Sequence, residues 1–358
     1  MTASIKDVAR AAGVSPATVS RALGKGPVSE ALRAQVLDAV RATGYRPNLA
    51  ARRLRSRDSG TIGLILADIG NPFFTGVAKA VEEAAYQAGL RVLLCNTDED
   101  PAREAIYLRL MQEERVTGLI LAPTRTTAER LAAQPPGVPA VLIDRAGPPG
   151  RFDSVLLDNE AAGAALVDHL VAQGHRRIAG LFGQTSFTGI ERAAGYRAAM
   201  ARHGLPARER FVLPQAEAAE AGFAALLAEG PAPEAVMVSN SLLLMGLLRA
   251  VRAAGLRIPG DIALAGFDNE PWTGLVEPGL TVIEQPLEEI GRTAMALLFE
   301  RLRVPAAPVR KVMLSGRCVL RGSSAGEGRG GKGVPSANPT LPCHGSGPAA
   351  RRVPDSQK

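Results

Sequence analysis

The segment IKDVARAAGVSPATVSRAL, residues 5–23, decides the fold of the amino-terminal region. A capping signal of the S-x-x-D type starts at Ser4 and predicts a first short helix. Gly13 then supplies a tight turn, because glycine adopts positive φ without steric cost. Ser15 caps a second helix, and Pro16 suits its first turn because its missing N–H would have no helical partner there. Two short helices joined by a glycine turn predict a helix-turn-helix.

The second predicted helix, residues 16–23, carries the side chains suited to reading DNA. In a helix-turn-helix, this helix lies in the major groove with its early residues at base edges. Ala17 and Arg21 are four residues apart and share an outward face. Arg21 can give two hydrogen bonds to a guanine, and Ala17 can touch a thymine methyl. The short hydroxyls of Thr18 and Ser20 suit phosphate oxygens.

A third helix and the distribution of charge extend this prediction. Ser29 is expected to cap a helix over residues 30–43, with Gly44 past its end. Residues 1–60 hold eleven Lys/Arg and four Asp/Glu, a net charge of +7, whereas residues 61–320 carry a net charge of −4. A basic head on a mildly acidic body is typical of a nucleic-acid reader joined to a second functional unit.

These residues resemble the DNA-binding head of the lactose-repressor (LacI/GalR) family of bacterial transcription regulators. The resemblance implies a DNA-binding domain over residues 1–47, in which the residues matching Pro16, Ala17 and Arg21 help to choose the operator. Because Pro16 and Ala17 are small and apolar, we expect an operator different from that of the lactose repressor. The DNA-contacting residues expected in this domain are Ser15, Pro16, Ala17, Thr18, Ser20 and Arg21.

The resemblance continues through NLAARRLRSR, residues 48–57, within an expected hinge over residues 48–60. Asn48 suits the cap of a short helix, and Arg52 belongs to a strongly basic run; both are expected to contact DNA. In the family, two hinges order on operator DNA and enter the minor groove together. A leucine matching Leu54 then wedges into the central base step. Without DNA, the alternative is a disordered basic linker.

From Thr61 the sequence alternates between apolar runs and amphipathic helices, which predicts α/β architecture with parallel sheets and crossover helices. Some eight strands over about 260 residues suit two lobes with a ligand crevice at the carboxyl ends of the strands. Neither a G-x-G-x-x-G after the first strand nor a P-loop occurs, so no nucleotide-phosphate loop is indicated. The predicted strands lie in TIGLILADI, RVLLCNT, TGLILAP, PAVLID, SVLLDN, HRRIAGLFG, EAVMVSN and DIALAGFD.

The body resembles the periplasmic sugar-binding-protein fold, which the LacI/GalR family uses as its sensor, over roughly residues 61–320. That fold implies three crossings between the lobes, near residues 160, 285 and 317. The expected ranges are about 61–160 with 286–316 for the first lobe and about 161–285 for the second lobe.

Polar and aromatic side chains follow the predicted strands, where the crevice is expected. Carboxylates and amide oxygens accept hydrogen bonds from sugar hydroxyls, Arg and Asn donate, and Phe faces stack on C–H surfaces. Taken singly, each also fits a helix cap, a solvated arginine or a core phenylalanine. As a set they resemble the contacts of ribose-type binding proteins: Asn71, Phe73, Phe74, Asp144, Arg145, Arg192, Asn240, Asp268 and Gln285. Arg145 and Arg192 also suit an acid group, so the expected effector is a small sugar or a sugar acid.

Two positions depart from the pattern of the resembling proteins, and the place of a third residue stays open. Relatives usually carry an aromatic before GFAALL, where Glu217 falls here, and this weakens a two-sided stacking clamp. Many relatives have Asn-Asp where this chain has Asn240 and Ser241, so one acceptor is missing. Trp272, the single tryptophan, follows Asp268 and is expected either to line the pocket or to pack between the lobes.

The remaining features limit partners and cofactors. Residues 321–358 contain eight Gly, five Pro, five Ser and no aromatic, which predicts a disordered tail. Its single leucine, Leu341, excludes a tetramer-forming heptad, so a homodimer is expected. The cysteines Cys95, Cys318 and Cys343 are few and far apart, which favours neither a disulfide framework nor a metal cluster, and we expect no cofactor. The sequence has no signal segment and no apolar run of about 18 residues, which predicts a cytoplasmic protein without membrane contact.

These features predict a dimeric, sequence-specific transcription regulator, expected to be a repressor, that binds double-stranded operator DNA with pseudo-palindromic sequence. Effector binding is expected to close the lobes and change operator affinity, a coupling that is commonly about 1–3 kcal/mol. A solute-binding protein for uptake would share the body but would need an export signal. An enzyme acting on a sugar would need a nucleophile-base set or a metal cluster, and the sequence indicates neither.

Overall fold

The computed structural model describes residues 3–24, 26–45, 59–185 and 187–326, and the backbone of Leu341–Pro342. The chain divides into two units, a head (Met1–Ser59) and a body (Gly60–Lys358). Asn48, Arg52 and Leu54 lie outside the described residues, so the predictions made for the hinge stay predictions.

The head contains three helices, α1 (Ile5–Ala11), α2 (Pro16–Leu23) and α3 (Glu30–Thr43). The carboxylate of Asp7 accepts the backbone N–H of Ser4 at 2.9 Å, which starts α1 as predicted. Gly13 takes a φ of +61° in the turn between α1 and α2. The small core of the head consists of Val8, Ala9, Ala12, Val19, Ala22, Val36 and Ala39.

One arginine of α3 fixes the carboxyl end of α2. The guanidinium of Arg33 donates to the carbonyl oxygen of Ala22, to that of Gly24 at 3.1 Å and to that of Gly26 at 3.2 Å. These carbonyls have no helical donor because α2 ends there. The orientation of α2 is therefore set by α3 as well as by the apolar core.

The body alternates strands and helices as the sequence predicts. Its strands are β1 (Thr61–Leu66), β2 (Arg91–Asn96), β3 (Gly118–Leu121), β4 (Ala140–Ile143), β5 (Asp153–Leu157), β6 (Ile178–Gly183), β7 (Arg208–Val212), β8 (Ala235–Val238), β9 (Ala263–Phe267), β10 (Thr281–Glu284), β11 (Lys311–Leu314), β12 (Arg317–Val319) and β13 (Leu341–Pro342). Its helices are α4 (Pro72–Gln87), α5 (Pro101–Glu113), α6 (Arg125–Arg130), α7 (Asn159–Ala172), α8 (Phe187–Arg202), α9 (Ala216–Ala228), α10 (Ser241–Ala253) and α11 (Leu287–Arg303).

Two sheets organise these elements. The first sheet is parallel, with strand order β11-β5-β4-β3-β1-β2, and the second has the order β13-β12-β10-β9-β8-β6-β7. In the second sheet, β12 pairs antiparallel with β10 and with β13, whereas the remaining pairs are parallel. The chain changes sheet after β5, returns after β10 and changes again after β11. We call each sheet with its helices a lobe.

Helices cover both faces of each sheet. In the first lobe, Val77 of α4 and Ile290 of α11 belong to the core on one face, and Met111 of α5 lies in the core on the other. In the second lobe, α7 and α8 cover one face, and α9 and α10 cover the other. No helix in the described part of the chain is both long and apolar enough to span a membrane.

The structure corrects one boundary predicted from composition. Disorder was expected from residue 321, but residues 321–326 are ordered against the second lobe. Ser323 and Ser324 are buried in a short 3-10 helix, where the Ser323 hydroxyl donates to the carbonyl of Leu264 at 2.6 Å and the Ser324 hydroxyl lies 2.7 Å from Nε2 of His169. Specific hydrogen bonds hold this short segment although it is rich in Gly and Ser.

Candidate functional site

One cleft between the two lobes collects all nine residues predicted for the effector site. The side chains leave a cavity of about 50 Å³ inside a wider opening of about 550 Å³ that includes open solvent. The carboxyl ends of parallel strands meet at one edge of a sheet, so residues that follow different strands converge there. The predicted residues that line it are Asn71, Phe73, Phe74, Asp144, Arg145, Arg192, Asn240, Asp268 and Gln285.

Three carboxylate residues of this cleft lie in the left-handed region of φ. Glu99 has a φ of +59°, Asp144 of +64° and Asp268 of +75°. Residues other than glycine occupy this region rarely, at a cost of about 1–3 kcal/mol each, and such residues cluster at ligand sites. The surrounding fold therefore holds these three carboxylates in place at a conformational cost.

On the first lobe, Arg145 is enclosed by acceptors. It is 3% exposed, and its guanidinium makes two hydrogen bonds to the carboxylate of Glu99, one of them at 2.8 Å. It also donates to the carbonyl of Pro123 at 3.0 Å. Its Nε forms an ion pair with Oδ2 of Asp144 at 3.2 Å but has no hydrogen-bond partner among the described residues. A bidentate pair of this kind fixes direction as well as charge.

Burial shifts the pKa values of the carboxyl groups near Arg145. Burial raises the pKa of Asp144, and the nearby charge of Arg145 opposes the shift. Burial also raises the pKa of Glu104, which is fully buried on α5 and accepts the backbone N–H of Thr124 at 3.0 Å. Because Thr124 follows Pro123, Glu104 holds the loop whose carbonyl contacts Arg145.

On the second lobe, Arg192 of α8 is buried and fully oriented. Its Nε donates to Oδ1 of Asn159 at 2.8 Å, and its Nη1 donates to the carbonyl of Ser239. Its guanidinium carbon lies 4.1 Å from the centre of the Phe267 ring, a cation–π distance. Burial lowers the pKa of Arg192, while the charges of Asp268 and Asp144 oppose the shift.

Close packing of α7 on α8 brings Arg192 to this position. A Cβ on Gly163 would lie 2.5 Å from the carbonyl oxygen of Arg192, and a Cβ on Gly195 would lie 2.0 Å from that of Glu160. Both distances are shorter than real Cβ contacts, so glycine is required for the two backbones to approach.

Asp268 and Gln285 form the part of the cleft nearest a crossover. Oδ2 of Asp268 accepts the backbone N–H of Ser241 at 3.0 Å, and Oδ1 accepts Nε2 of Gln285 at 2.6 Å. The remaining oxygen of Gln285, Oε1, is buried and has no hydrogen-bond partner among the described residues. A buried acceptor without a donor is costly, which favours a ligand that donates to it.

The other predicted residues, Asn71, Asn240, Phe73 and Phe74, line the cleft and also contact their own lobe. Oδ1 of Asn71 accepts the N–H of Phe73 at 3.0 Å, and Oδ1 of Asn240 accepts the N–H of Leu243 at 2.8 Å, so both residues cap helices. Phe73 and Phe74 meet edge to face with ring centres 5.0 Å apart. Both aromatic rings are largely buried in the first lobe.

Several lining residues were not predicted from the sequence: Asp68, Glu99, Thr188, Pro214, Ser239 and Leu242. Pro214 lines the cleft, whereas Glu217 is exposed on α9 and lies 3.6 Å from Arg249. Trp272 packs against the core of the second lobe and is not part of the cleft lining. No group of three or more potential metal ligands occurs within the described ranges.

The predicted DNA-reading residues of the head are accessible. Ser15, Pro16, Ala17, Ser20 and Arg21 are exposed, and Thr18 is half-buried. The Thr18 hydroxyl lies 2.9 Å from that of Ser15 and accepts Nη2 of Arg21 at 3.3 Å. Arg21 therefore has a local partner that orients it along the surface of α2.

Two family models match the two units of the chain. The model described as bacterial regulatory proteins, lacI family, matches residues 4–48, and the model described as a periplasmic binding protein-like domain matches residues 167–324. The chain is 34% identical over 330 residues to the ribose operon repressor of Escherichia coli strain K12, covering 90% of this chain and 100% of that protein. It is 32% identical over 335 residues to the HTH-type transcriptional regulator DegA of Bacillus subtilis, covering 91% and 99%.

Solved structures of transcription repressors also align with this chain. The lac repressor dimer bound to operator and the anti-inducer ONPF aligns with a TM-score of 0.81 at 27% identity, covering 91% of this chain and 100% of that one. A structure described as a putative ribose operon repressor from Burkholderia thailandensis aligns with a TM-score of 0.66 at 35% identity, covering 73% and 98%.

Proposed function

The chain belongs to the lacI family of bacterial regulatory proteins, and we propose that it is a dimeric repressor controlled by a small sugar or sugar acid. Family membership confirms the predicted fold and the prediction of a transcription regulator rather than an enzyme. The convergence of nine polar and aromatic side chains on one cleft between the lobes carries the proposal of the effector site.

The chemistry of the lining supports a ligand rich in hydroxyl groups. The lining offers acceptors in Asp144 and Gln285, a guanidinium donor in Arg192 and aromatic surface in Phe73. Polyols need this combination, because each hydroxyl both donates and accepts and the C–H faces are apolar. One relative, the ribose operon repressor, carries a sugar in its name, which agrees with this class of effector.

The head supports operator binding through the exposed face of α2. Arg21 would contact a base edge, while Thr18 and Ser20 would contact phosphates. Two heads, one per subunit, would bind the two halves of a pseudo-palindrome. Effector closure of the lobes would change the separation of the hinges and with it the operator affinity. Because operator DNA lies in the bacterial cytoplasm, we propose that the protein acts there.

Exposed apolar side chains at the free sheet edges support the homodimer. Leu94 lies on β2, the edge strand of the first sheet opposite the crossovers, and is 44% exposed; Ile106 on the following helix is 61% exposed. Phe211 on β7, the corresponding edge of the second sheet, is also exposed. Large apolar side chains that reach solvent along an edge are typical of a protein interface.

Sedimentation velocity tests the dimer. Ile106→Glu would place a charge in the interface and should shift the protein towards the monomer, whereas Leu275→Glu changes an exposed leucine of the second lobe away from these edges and should not. A native protein that sediments as a monomer at micromolar concentration would contradict the dimer.

Fluorescence anisotropy tests the whole proposal. The probes are duplexes from the DNA upstream of the gene and from neighbouring intergenic regions, with pentoses, hexoses and sugar acids added at fixed salt, because phosphate contacts make affinity salt-dependent. We expect tight binding to one duplex and a change of affinity with one compound. Weak, uniform binding that no compound alters would contradict both the operator and the effector assignment.

A further inference from the structure

We propose that the cleft selects a neutral polyhydroxylated ligand and excludes sugar acids, an inference that rests on the proposed function and narrows it. Among the described residues, the lining contains four carboxylate side chains, Asp68, Glu99, Asp144 and Asp268, and two guanidinium groups, Arg145 and Arg192. The site therefore has an excess of negative charge before any ligand enters.

The first guanidinium is already neutralised by the protein. Both carboxylate oxygens of Glu99 accept hydrogen bonds from Arg145, and the carboxylate of Asp144 lies 3.2 Å from its Nε. The carbonyl of Pro123 takes a further N–H at 3.0 Å. To bind Arg145, a ligand carboxylate would have to displace the carboxylate of Glu99. The Glu99 carboxylate would then be left in the cleft without its guanidinium partner, which is costly.

The second guanidinium, that of Arg192, is held in place by hydrogen bonds to the protein but keeps donors for a ligand. Nε and Nη1 of Arg192 donate to Asn159 and to the carbonyl of Ser239, which leaves the N–H groups of Nη2. Those donors suit a hydroxyl oxygen. They do not compensate the full negative charge of a ligand carboxylate next to Arg192, because the buried carboxylates of Asp144 and Asp268 line the same cleft and repel it.

The acceptors in the cleft also call for donors on the ligand. Oε1 of Gln285 is buried and has no hydrogen-bond partner within the described ranges, and the Asp144 carboxylate forms an ion pair with Arg145 but takes no hydrogen bond from its Nε. The single N–H of that Nε suits a hydroxyl oxygen of the same ligand. A hydroxyl supplies a donor to either group, whereas an ionised carboxyl has only acceptor oxygens. A sugar acid would thus lose hydrogen bonds as well as meet like charge.

The cleft lining keeps an excess of negative charge even when the Asp144 carboxyl is protonated. Burial raises the pKa of Asp144, which favours the neutral form of this carboxyl. With Asp144 neutral, three carboxylates still face two guanidiniums. The discrimination therefore does not depend on the protonation state of a single residue.

Isothermal titration calorimetry of the full-length protein with matched ligand pairs tests the inference. The pairs are glucose with glucuronate, galactose with galacturonate and mannose with mannuronate, which keep the ring and differ at C6 alone, all at one ionic strength. We expect the acid to bind at least about tenfold more weakly than its neutral partner wherever the neutral sugar binds. An acid that binds as tightly as its neutral partner, or more tightly, would overturn the inference. Failure of both members of every pair to bind would instead overturn the proposed sugar effector, and this inference with it.

A charge-neutralising variant separates electrostatics from shape. Glu99→Gln removes one carboxylate and releases Arg145, so the preference for the neutral partner should shrink by at least about threefold. Glu217→Gln makes the same change on the exposed face of α9, outside the lining, and should leave the preference unchanged. If Glu99→Gln does not fold by circular dichroism, Asp68→Asn makes an equal charge change at a half-buried position. An unchanged preference in the folded variant would overturn the electrostatic argument.

Discussion

Nε2 of Gln285 donates a 2.6 Å hydrogen bond to Oδ1 of Asp268. Gln285 begins a crossover between the lobes, and Asp268 follows β9 in the second lobe. The other oxygen of Asp268 accepts the N–H of Ser241, the first residue of α10. A ligand that contacts Asp268 would therefore act on a crossover as well as on the second lobe.

This relationship makes Asp268→Asn the sharpest test of the effector site. The variant keeps the size of the side chain but removes its charge and an acceptor. Hydrogen bonds to charged groups contribute about 1.5–3 kcal/mol, so effector affinity measured by calorimetry should fall about 10- to 100-fold. Operator affinity without effector should stay within about twofold, because Asp268 lies in the body and the DNA-reading residues lie in the head.

Asp168→Asn provides the control for this change. Asp168 is 45% exposed and lies on α7, where it pairs with Arg202 outside the cleft lining. It should leave effector affinity unchanged. A full effector response in Asp268→Asn would remove Asp268 from the proposed site.

The recognition helix makes a separate prediction. Arg21→Ala should weaken operator binding by about 1–3 kcal/mol per half-site and relax the preference for one base, because a bidentate contact to guanine would be lost. Anisotropy with a series of single-base operator variants measures both effects. Arg41→Ala, at the end of α3 and paired with Asp38, is the matched control and should preserve the base preference. Equal sensitivity to that base before and after Arg21→Ala would contradict the assigned contact.

The cleft residues that could be predicted share one property. Asp144, Asn240, Asp268 and Gln285 each lie one or two residues past the end of a strand, and the carboxyl ends of parallel strands converge. Their sequence positions were therefore enough to predict that they meet. Arg192 follows the strand β6 at a greater distance and lies within α8 rather than at a strand end.

Other residues could not be predicted because their signal is not local. Glu99 lies in a loop three residues after β2, and its role depends on Arg145, 46 positions later in the chain. The strand β7 (Arg208–Val212) was missed because RERFV begins with three charged residues, which an edge strand of a sheet tolerates but which give no apolar run. The order of residues 321–326 was missed because average composition over 38 residues hides the hydrogen bonds that bury Ser323 and Ser324.

A buried hydroxyl gives a prediction about stability. The Tyr196 hydroxyl donates to the carbonyl of Ile178 at 2.8 Å and accepts the N–H of Arg208 at 2.8 Å, joining α8 to two strands. Tyr196→Phe would leave buried backbone groups without partners and should lower the free energy of unfolding by about 1–3 kcal/mol. Tyr86→Phe, at a side chain that is 70% exposed, should change it by less than about 0.5 kcal/mol. Urea unfolding followed by circular dichroism measures both, and equal midpoints for the two variants would contradict the role of the Tyr196 hydroxyl.

The pH dependence of stability should depend on His169. Burial, and then the neighbouring charge of His175, lowers the pKa of His169 from 6.5 to about 4. The unfolded chain binds a proton on this side chain at higher pH than the folded chain does. The free energy of unfolding therefore falls as the pH falls from about 6.5 to about 4. The loss that His169 causes amounts to up to about 3 kcal/mol, and it is absent above this range of pH.

His169→Gln isolates this effect. In the native protein, Nε2 of His169 lies 2.7 Å from the Ser324 hydroxyl. Glutamine can keep this hydrogen bond but does not titrate. Urea midpoints measured from pH 7.5 to pH 4.5 should fall more steeply for the native protein than for the variant. The difference between the two curves should open below about pH 6.5, since only the native protein carries the linked proton. Parallel curves over the whole range would show that His169 binds its proton equally well in the folded and unfolded chains, and would contradict its burial in the neutral form.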